Sequence, residues 1–373
     1  MIQSAWRITS RGSSRHNRAV TARDLARLRL HNQRITAQAH TPGEAVRRLG
    51  AVQAQDYLAS LWAVGLRVAG AMERTVQQAI AERSIVRTWP LRGTIHWVAA
   101  EDVWWMLNHF AQRVIAARAA RYRELELDAE TFAKSGKVLE QSLQGGRSLR
   151  REAVYAELAA VGISSKNGRG MHILGYHAHA GLICFGPYAL KQPTFVLLEE
   201  WVPRPAIPGR EEALAELTRR YFVGHGPATL KDFAWWSGLG LAEARKGLEA
   251  VRGELEETAF NGQTYYFKPA TPAESEFDTH LLPAFDEFVV AYANRDAVLE
   301  AAFSRRYHDG GGVLRPVAVV DGQVMGVWRR VLTAKAAKVA LEAFHSLSKT
   351  QLDSVALTAQ RYGAFLGRPA ELT

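Results

Sequence analysis

Apolar positions recur at helical spacing over the first eighty residues of the chain. Leu25, Leu28 and Leu30 follow Thr21 and Asp24, whose side chains suit the unpaired N–H groups of a helix start. Thr41-Pro42-Gly43-Glu44 is a second start, with a capping threonine, proline at the first helical position and a glutamate three residues on. The helix it opens carries Val46 and Leu49 and stops at Gly50. Residues 58–68 are apolar at helical spacing, and 75–83 form another short helix through Val76, Ala79 and Ile80. The period then shortens. Residues 85–89 and 94–98 are β-rich runs around Pro90-Leu91-Arg92-Gly93, which predicts a hairpin. Short helices followed by a two-stranded hairpin are the winged-helix order.

That order recurs twice. Residues 149–161 and 171–180 read as helices, and 182–188 and 194–200 as paired strands. A linker follows at 203–208, where three of six residues are proline. Helices are then predicted at 211–222, 229–238 and 241–251. Strands at 254–260 and 263–267 meet over Asn261-Gly262, a strong hairpin signal. Beyond residue 276 the pattern changes. Runs at 313–320 and 323–331 alternate around Asp321-Gly322, and helical patterns are read at 334–346 and 355–366. The expected fold is α+β: tandem winged-helix domains with a C-terminal α+β domain containing a small β-sheet. The boundaries read from the pattern are a basic disordered arm at 1–20, winged helices at 21–125, 126–205 and 206–275, and the C-terminal domain at 276–373.

Composition narrows the class. The chain has 373 residues, 47% hydrophobic and 23% charged, which is ordinary for a globular protein of several domains. The net charge of +10 is less ordinary and favours a polyanionic partner. No apolar run is long enough to span a bilayer, and no apolar stretch follows the basic N-terminus, so neither a membrane span nor a secretory signal is expected. The single Cys184 excludes an internal disulfide and a cysteine-rich zinc site. An intracellular, monomeric protein is the expectation.

Four groups of residues invite a chemical reading. Gln53-Ala54-Gln55-Asp56 follows the helix stop at Gly50. In an extended segment positions two apart share a face, so Gln53 and Gln55 would offer paired amides to one point; the plain alternative is two surface glutamines on a short strand. Arg87, Trp89, Arg92, Thr94 and His96 lie on the first hairpin, where a wing with a cation at its tip suits phosphates or a groove; the alternative is an ordinary exposed turn. Asp286-Glu287 could divide acid and base roles if burial separates their pKa values, or else cap a helix and pair with a basic residue. His172, His177 and His179 lack ligand spacing, so no metal is assigned, and no cofactor fingerprint occurs. Gly-X-Ser-X-Gly is also absent.

Several of these segments together resemble the AlkZ and YcaQ type winged-helix DNA glycosylases. Gln53-Ala54-Gln55 resembles the family's glutamine-aliphatic-glutamine motif, with Ala54 smaller than expected, a change that bears on packing more than chemistry. The tract from Arg87 to His96 resembles its Arg-Thr-Trp-Pro-Met/Leu-Arg-Gly-Thr-Leu/Ile-His hairpin. Gly226-Pro227-Ala228-Thr229 with Trp236-Ser237-Gly238 is similar to its third winged-helix start. Leu281-Leu282-Pro283-Ala284-Phe285-Asp286-Glu287 is similar to its Leu-Leu-Pro-Pro-Phe-Asp-Glu segment, and Arg315-Pro316 through Arg330 to its terminal sheet. The resemblance covers about residues 20 to 370. It implies a repair glycosylase that excises alkylated purines, bulky adducts or interstrand crosslinks from double-stranded DNA, associated with the nucleoid when bound. It places catalysis on Gln53 and Gln55; Asp56 beside them is the acid that could support the site, and the hairpin residues Arg87, Trp89, Arg92, Thr94 and His96 are the expected DNA contacts. A non-catalytic winged-helix DNA-binding or regulatory protein is the alternative from another class.

Overall fold

A computed structural model describes residues 20–373, apart from 190–191, 272–277, 309, 311 and 334–335. The basic arm therefore lies outside the described residues, Val20 excepted. The chain packs as two compact units, one built from Met1–Gln77 and Leu214–Thr373, the other from Gln78–Ala213.

The first unit begins with α1 (Ala22–Asn32), α2 (Pro42–Leu49), the two-residue β1 (Val52–Gln53), α3 (Tyr57–Gly65) and the first part of α4 (Glu73–Ala81). The starts are the ones the sequence marks. Thr21 and Thr41 cap α1 and α2 by accepting from the backbone N–H groups of Asp24 and Glu44, whose carboxylates reach back to the caps. Gly50 ends α2 at φ +75°, a left-handed conformation that glycine adopts at least cost.

The second unit follows in chain order. Its sheet contains β2 (Ile85–Leu91), β3 (Thr94–Ala99), β4 (Leu149–Arg150), β5 (Ile183–Phe185) and β6 (Thr194–Leu197), with helices α5 (Ala100–Met106), α6 (Gln112–Ala117), α7 (Ala119–Glu124), α8 (Ala129–Leu143), α9 (Arg151–Ala160), α10 (Arg169–His179) and α11 (Leu198–Trp201). Within the unit the strand order is β3-β2-β5-β6-β4, antiparallel throughout. The β2–β3 ladder pairs Thr88 with His96 and slips before Leu91 meets Thr94; Pro90, which has no N–H to give, lies in the slipped stretch. Residues 198–200, read as strand, are the start of α11, and Leu149 belongs to a strand rather than a helix. The core joins Phe132, Leu139, Leu158, Ile173 and Leu174 to the sheet residues Trp89, Ile183 and Phe195.

The first unit resumes at Leu214, within α12 (Arg210–His225), and continues through α13 (Leu230–Ser237) and α14 (Leu241–Val251), then the hairpin β7 (Glu256–Phe260) and β8 (Gln263–Phe267), a helix-helix-helix-hairpin module. Asn261 and Gly262 turn it at φ +47° and +71°. The C-terminal sheet has the order β13-β12-β11-β10-β9, from β9 (Thr279–Leu282), β10 (Val317–Val320), β11 (Gln323–Leu332), β12 (Ala337–Ala343) and β13 (Ala370–Leu372). Short helices α15 (Glu287–Val290) and α16 (Ser304–Tyr307) follow β9, and α17 (Lys349–Leu366) precedes β13.

One expectation is overturned outright. Residues 334–346, read as a helix, contain β12, paired antiparallel with β11 from Ala337↔Leu332 to Ala343↔Gly326 and parallel with β13. The alanines and lysines have high helix propensity, yet Ala337 and Val339 are buried while Lys338 is exposed. That alternation fits a pleat, and ladder bonds on both edges outweigh a propensity difference of tenths of a kcal/mol per residue, roughly.

Candidate active site

The glutamine motif is held by its main chain. Gly50 brings the chain out of α2 so closely that a Cβ there would lie 3.3 Å from Arg220 Cβ and 3.5 Å from the Trp236 ring. β1 carries the backbone extended to Gln53, and the next two positions turn towards α3. Gln53 is buried and Ala54 fully so, whereas Gln55 and Asp56 are exposed. The regular strand thus stops at the first glutamine, and Gln55 lies in the bend that follows. Asp56 caps α3, its Oδ1 accepting from Ala59 N at 3.0 Å.

Beneath the motif lies a residue that the spacing of the motif did not point to. Gln53 N donates to Glu287 Oε1 at 2.7 Å, across 234 positions of sequence. Trp236 Nε1 donates to the other oxygen, Oε2, at 3.0 Å, and His225 Nε2 lies 3.4 Å from that oxygen. Glu287, Trp236 and His225 are all fully buried. Burial pushes the His225 pKa down, against the upward pull of the Glu287 carboxylate. The His225 ring stacks on Tyr221 with centroids 4.9 Å apart. The neighbouring acid works on a different partner. Asp286 accepts both terminal guanidinium nitrogens of buried Arg67 at 2.8 Å each, and its Oδ1 accepts from Phe288 N to cap α15. Arg67 also donates to the carbonyls of Gln33 and Ala63 and to the Gln33 side chain, so all five guanidinium N–H groups are used. Asp286 therefore takes the capping and pairing role that was one of its two sequence readings. The signal for Glu287 was its place in the Leu281–Glu287 segment; its contact with Gln53 is a product of folding alone.

The hairpin residues belong to the second unit and divide into two sets. Arg92 and Gly93 make the turn at φ +53° and +72°, and Arg92 and Thr94 are half-buried. Arg118 Nη2 donates to the Gly93 carbonyl at 3.1 Å; a Cβ on Gly93 would meet that nitrogen at 2.5 Å and Val114 Cγ1 at 2.9 Å. Arg87, Trp89 and His96 are buried instead. Trp89 stacks on Phe185 at 4.6 Å, the Arg87 guanidinium lies 4.4 Å from the same ring, and His96 Nδ1 lies 3.0 Å from the Thr94 carbonyl oxygen. Among the histidines set aside as ligands, His177 and His179 are core residues of α10, both with pKa pushed down to about 4 by burial. Among the described residues no three His, Cys, Asp or Glu side chains are grouped to hold a metal ion.

The sequence model of the DNA glycosylase AlkZ-like family matches residues 46–365. The chain belongs to that family. This AlkZ-like glycosylase is 26% identical over 314 residues to the interstrand DNA cross-link repair glycosylase of Streptomyces sahachiroi, an alignment covering 77% of this chain and 82% of the relative. The solved structure of Streptomyces sahachiroi DNA glycosylase AlkZ superposes with a TM-score of 0.78 at 22% identity, covering 95% of this chain and 100% of that one, so the α+β fold is shared. The protein is a DNA N-glycosylase of DNA repair, and DNA is its substrate. That decides between the enzyme and the non-catalytic DNA-binding protein. Among the described residues no helix is long and apolar enough to cross a membrane.

Proposed function

We propose that this DNA glycosylase hydrolyses the N-glycosidic bond of N7- or N3-alkylated purines in duplex DNA, as a monomer, with Gln53 and Gln55 orienting the attacking water. An N7-alkylated guanine already carries positive charge. When the C1′–N9 bond breaks, the electron pair neutralises the departing base, so little general-acid help is needed. Water then forms the C1′–O bond and releases a proton to solvent. The work left to the protein is orientation, which two amides on a fixed main chain can perform by donating to and accepting from that water. The observation that carries this reading is the anchored backbone of Gln53, buried against Glu287, next to an exposed Gln55. Arg92 and Thr94 at the hairpin turn are the assigned DNA contacts, while Arg87, Trp89 and His96 support the hairpin from within its unit. Asp56 supports the site as the cap of α3.

The test is base release under single-turnover conditions from a duplex containing one N7-methylguanine. Gln53→Ala and Gln55→Ala should each lower the rate by about 100-fold, the scale of a lost orienting contact. Wild-type rates in both would remove the glutamines from the mechanism. Asp56→Asn keeps a capping acceptor but no charge; near wild-type turnover is expected, and a large loss would instead give the carboxylate a chemical role. The relative named for interstrand cross-link repair makes a crosslinked duplex and a bulky N7 adduct the next two substrates to assay.

A further inference from the structure

We infer that Glu287 is a positioning residue for catalysis, its carboxylate holding the main chain of Gln53 so that the glutamine amides keep their aim. The inference rests on the proposed role of Gln53 and Gln55 and adds to it the group that fixes them.

Five observations converge. Gln53 N donates to Glu287 Oε1 at 2.7 Å, at the short end of the N–H···O range, so the carboxyl oxygen fixes the direction of that N–H. The second carboxylate oxygen is engaged by Trp236 Nε1, so rotation about the last side-chain bond would break one contact or the other. Trp236 also packs against Gly50, the residue that releases the chain from α2 into the motif. One side chain therefore braces both the entry to the motif and the carboxylate beneath it. At the start of α15, beside Glu287, Asp286 clamps Arg67 just beyond α3, so consecutive acids grip both sides of the β1–α3 segment. Finally, Phe285 precedes them at φ +60°, a left-handed conformation that an aromatic residue rarely adopts. The backbone is bent at some cost to present Asp286 and Glu287 together, and strain of this kind collects where geometry matters.

Stability alone does not account for the arrangement. A fully buried carboxylate is expensive to desolvate, and an apolar side chain of similar volume is commonly as good for the fold or better. What an apolar side chain cannot do is fix the direction of the Gln53 N–H.

The decisive experiment compares Glu287→Gln, Glu287→Ala and Trp236→Phe with wild type by three readouts. These are the single-turnover rate on the N7-methylguanine duplex, the Kd for that duplex, and hydrogen exchange at the Gln53 amide in the free protein. Glu287→Gln keeps the shape and one acceptor oxygen, and should lower the rate about 10-fold; Glu287→Ala should lower it about 100-fold, with Kd within about twofold of wild type in each. Exchange at Gln53 should quicken in both. Trp236→Phe should act in the same direction, and with Glu287→Gln it carries the test if Glu287→Ala does not fold. Unchanged rate and exchange in the Glu287 variants would overturn the inference, as would a loss confined to Kd. If wild type releases no base from this duplex, the proposed lesion class fails. The exchange measurement, made without DNA, then still decides whether Glu287 holds Gln53.

Discussion

Buried histidines set the expected response of this protein to acid at the scale of single residues. His177 sits in the core of its unit with Nε2 2.8 Å from Ser135 Oγ, and burial lowers its pKa from 6.5 to about 4. Between those values the unfolded chain binds a proton that the folded one does not. Stability is therefore complete above pH 6.5 and declines as the pH falls towards 4. Going from pH 7.5 to pH 5, His177 alone should account for about 2 kcal/mol of lost stability. Urea unfolding of His177→Gln at the two pH values should show a correspondingly smaller loss than wild type; equal losses would put the acid sensitivity elsewhere. His225 adds to the same trend, since it too is buried with a lowered pKa. Residue chemistry was partly legible in the chain. Gln53 and Gln55 stood out as amides beside a helix stop, because a glycine end and a two-residue spacing are local properties. Glu287 could be read only as a carboxylate of uncertain duty, since its duty depends on an N–H group 234 positions away.

Among the elements, α3 carries the motif's exit and must lie close to α17. Gly65 makes that approach possible: a Cβ there would fall 2.2 Å from Phe365 Cε2. Trp62, three residues earlier, meets Tyr362 edge-on at 5.2 Å and Phe365 at 4.9 Å, and its indole N–H donates to the Leu281 carbonyl at 2.7 Å. Gly65→Ala should destabilise the protein by about 1–3 kcal/mol through overpacking. The penalty should shrink in a Phe365→Leu background, and a penalty that is the same in both backgrounds would exclude this contact as its cause. Removing the cap of α2 with Thr41→Ala should cost about 1 kcal/mol, read as a lower urea midpoint at unchanged slope. Caps, helix stops and the Asn261-Gly262 and Asp321-Gly322 turns were all visible in the chain, because each is decided by a few adjacent side chains. β12 was not visible. Its segment resembles a helix locally and becomes a strand because β11 and β13 supply partners on both edges.

For the molecule as a whole, the surplus of 47 Lys and Arg over 37 Asp and Glu matches a substrate that is a polyanion. Binding to undamaged duplex should weaken steeply as salt rises, with log K falling linearly against log salt. Arg92→Ala should lower that slope by about one unit if its guanidinium meets a phosphate. An unaltered slope and affinity would remove the hairpin turn from the DNA contacts. The linear order of helices and hairpins, the basic charge and the family-like segments were all properties of the chain itself. Periodicity and turn chemistry were enough to indicate the α+β fold and net charge a polyanionic partner, since these are written locally or summed without regard to position, and the family-like segments carried the resemblance to DNA glycosylases. Packing made the decisions that join distant segments. It built one compact unit from two separated stretches, Met1–Gln77 and Leu214–Thr373, set Asp286 on Arg67 and Glu287 on Gln53, and turned residues 337–343 into a strand. No local pattern carries these outcomes, because a buried carboxylate or a β-ladder acquires its partner only when the chain closes on itself.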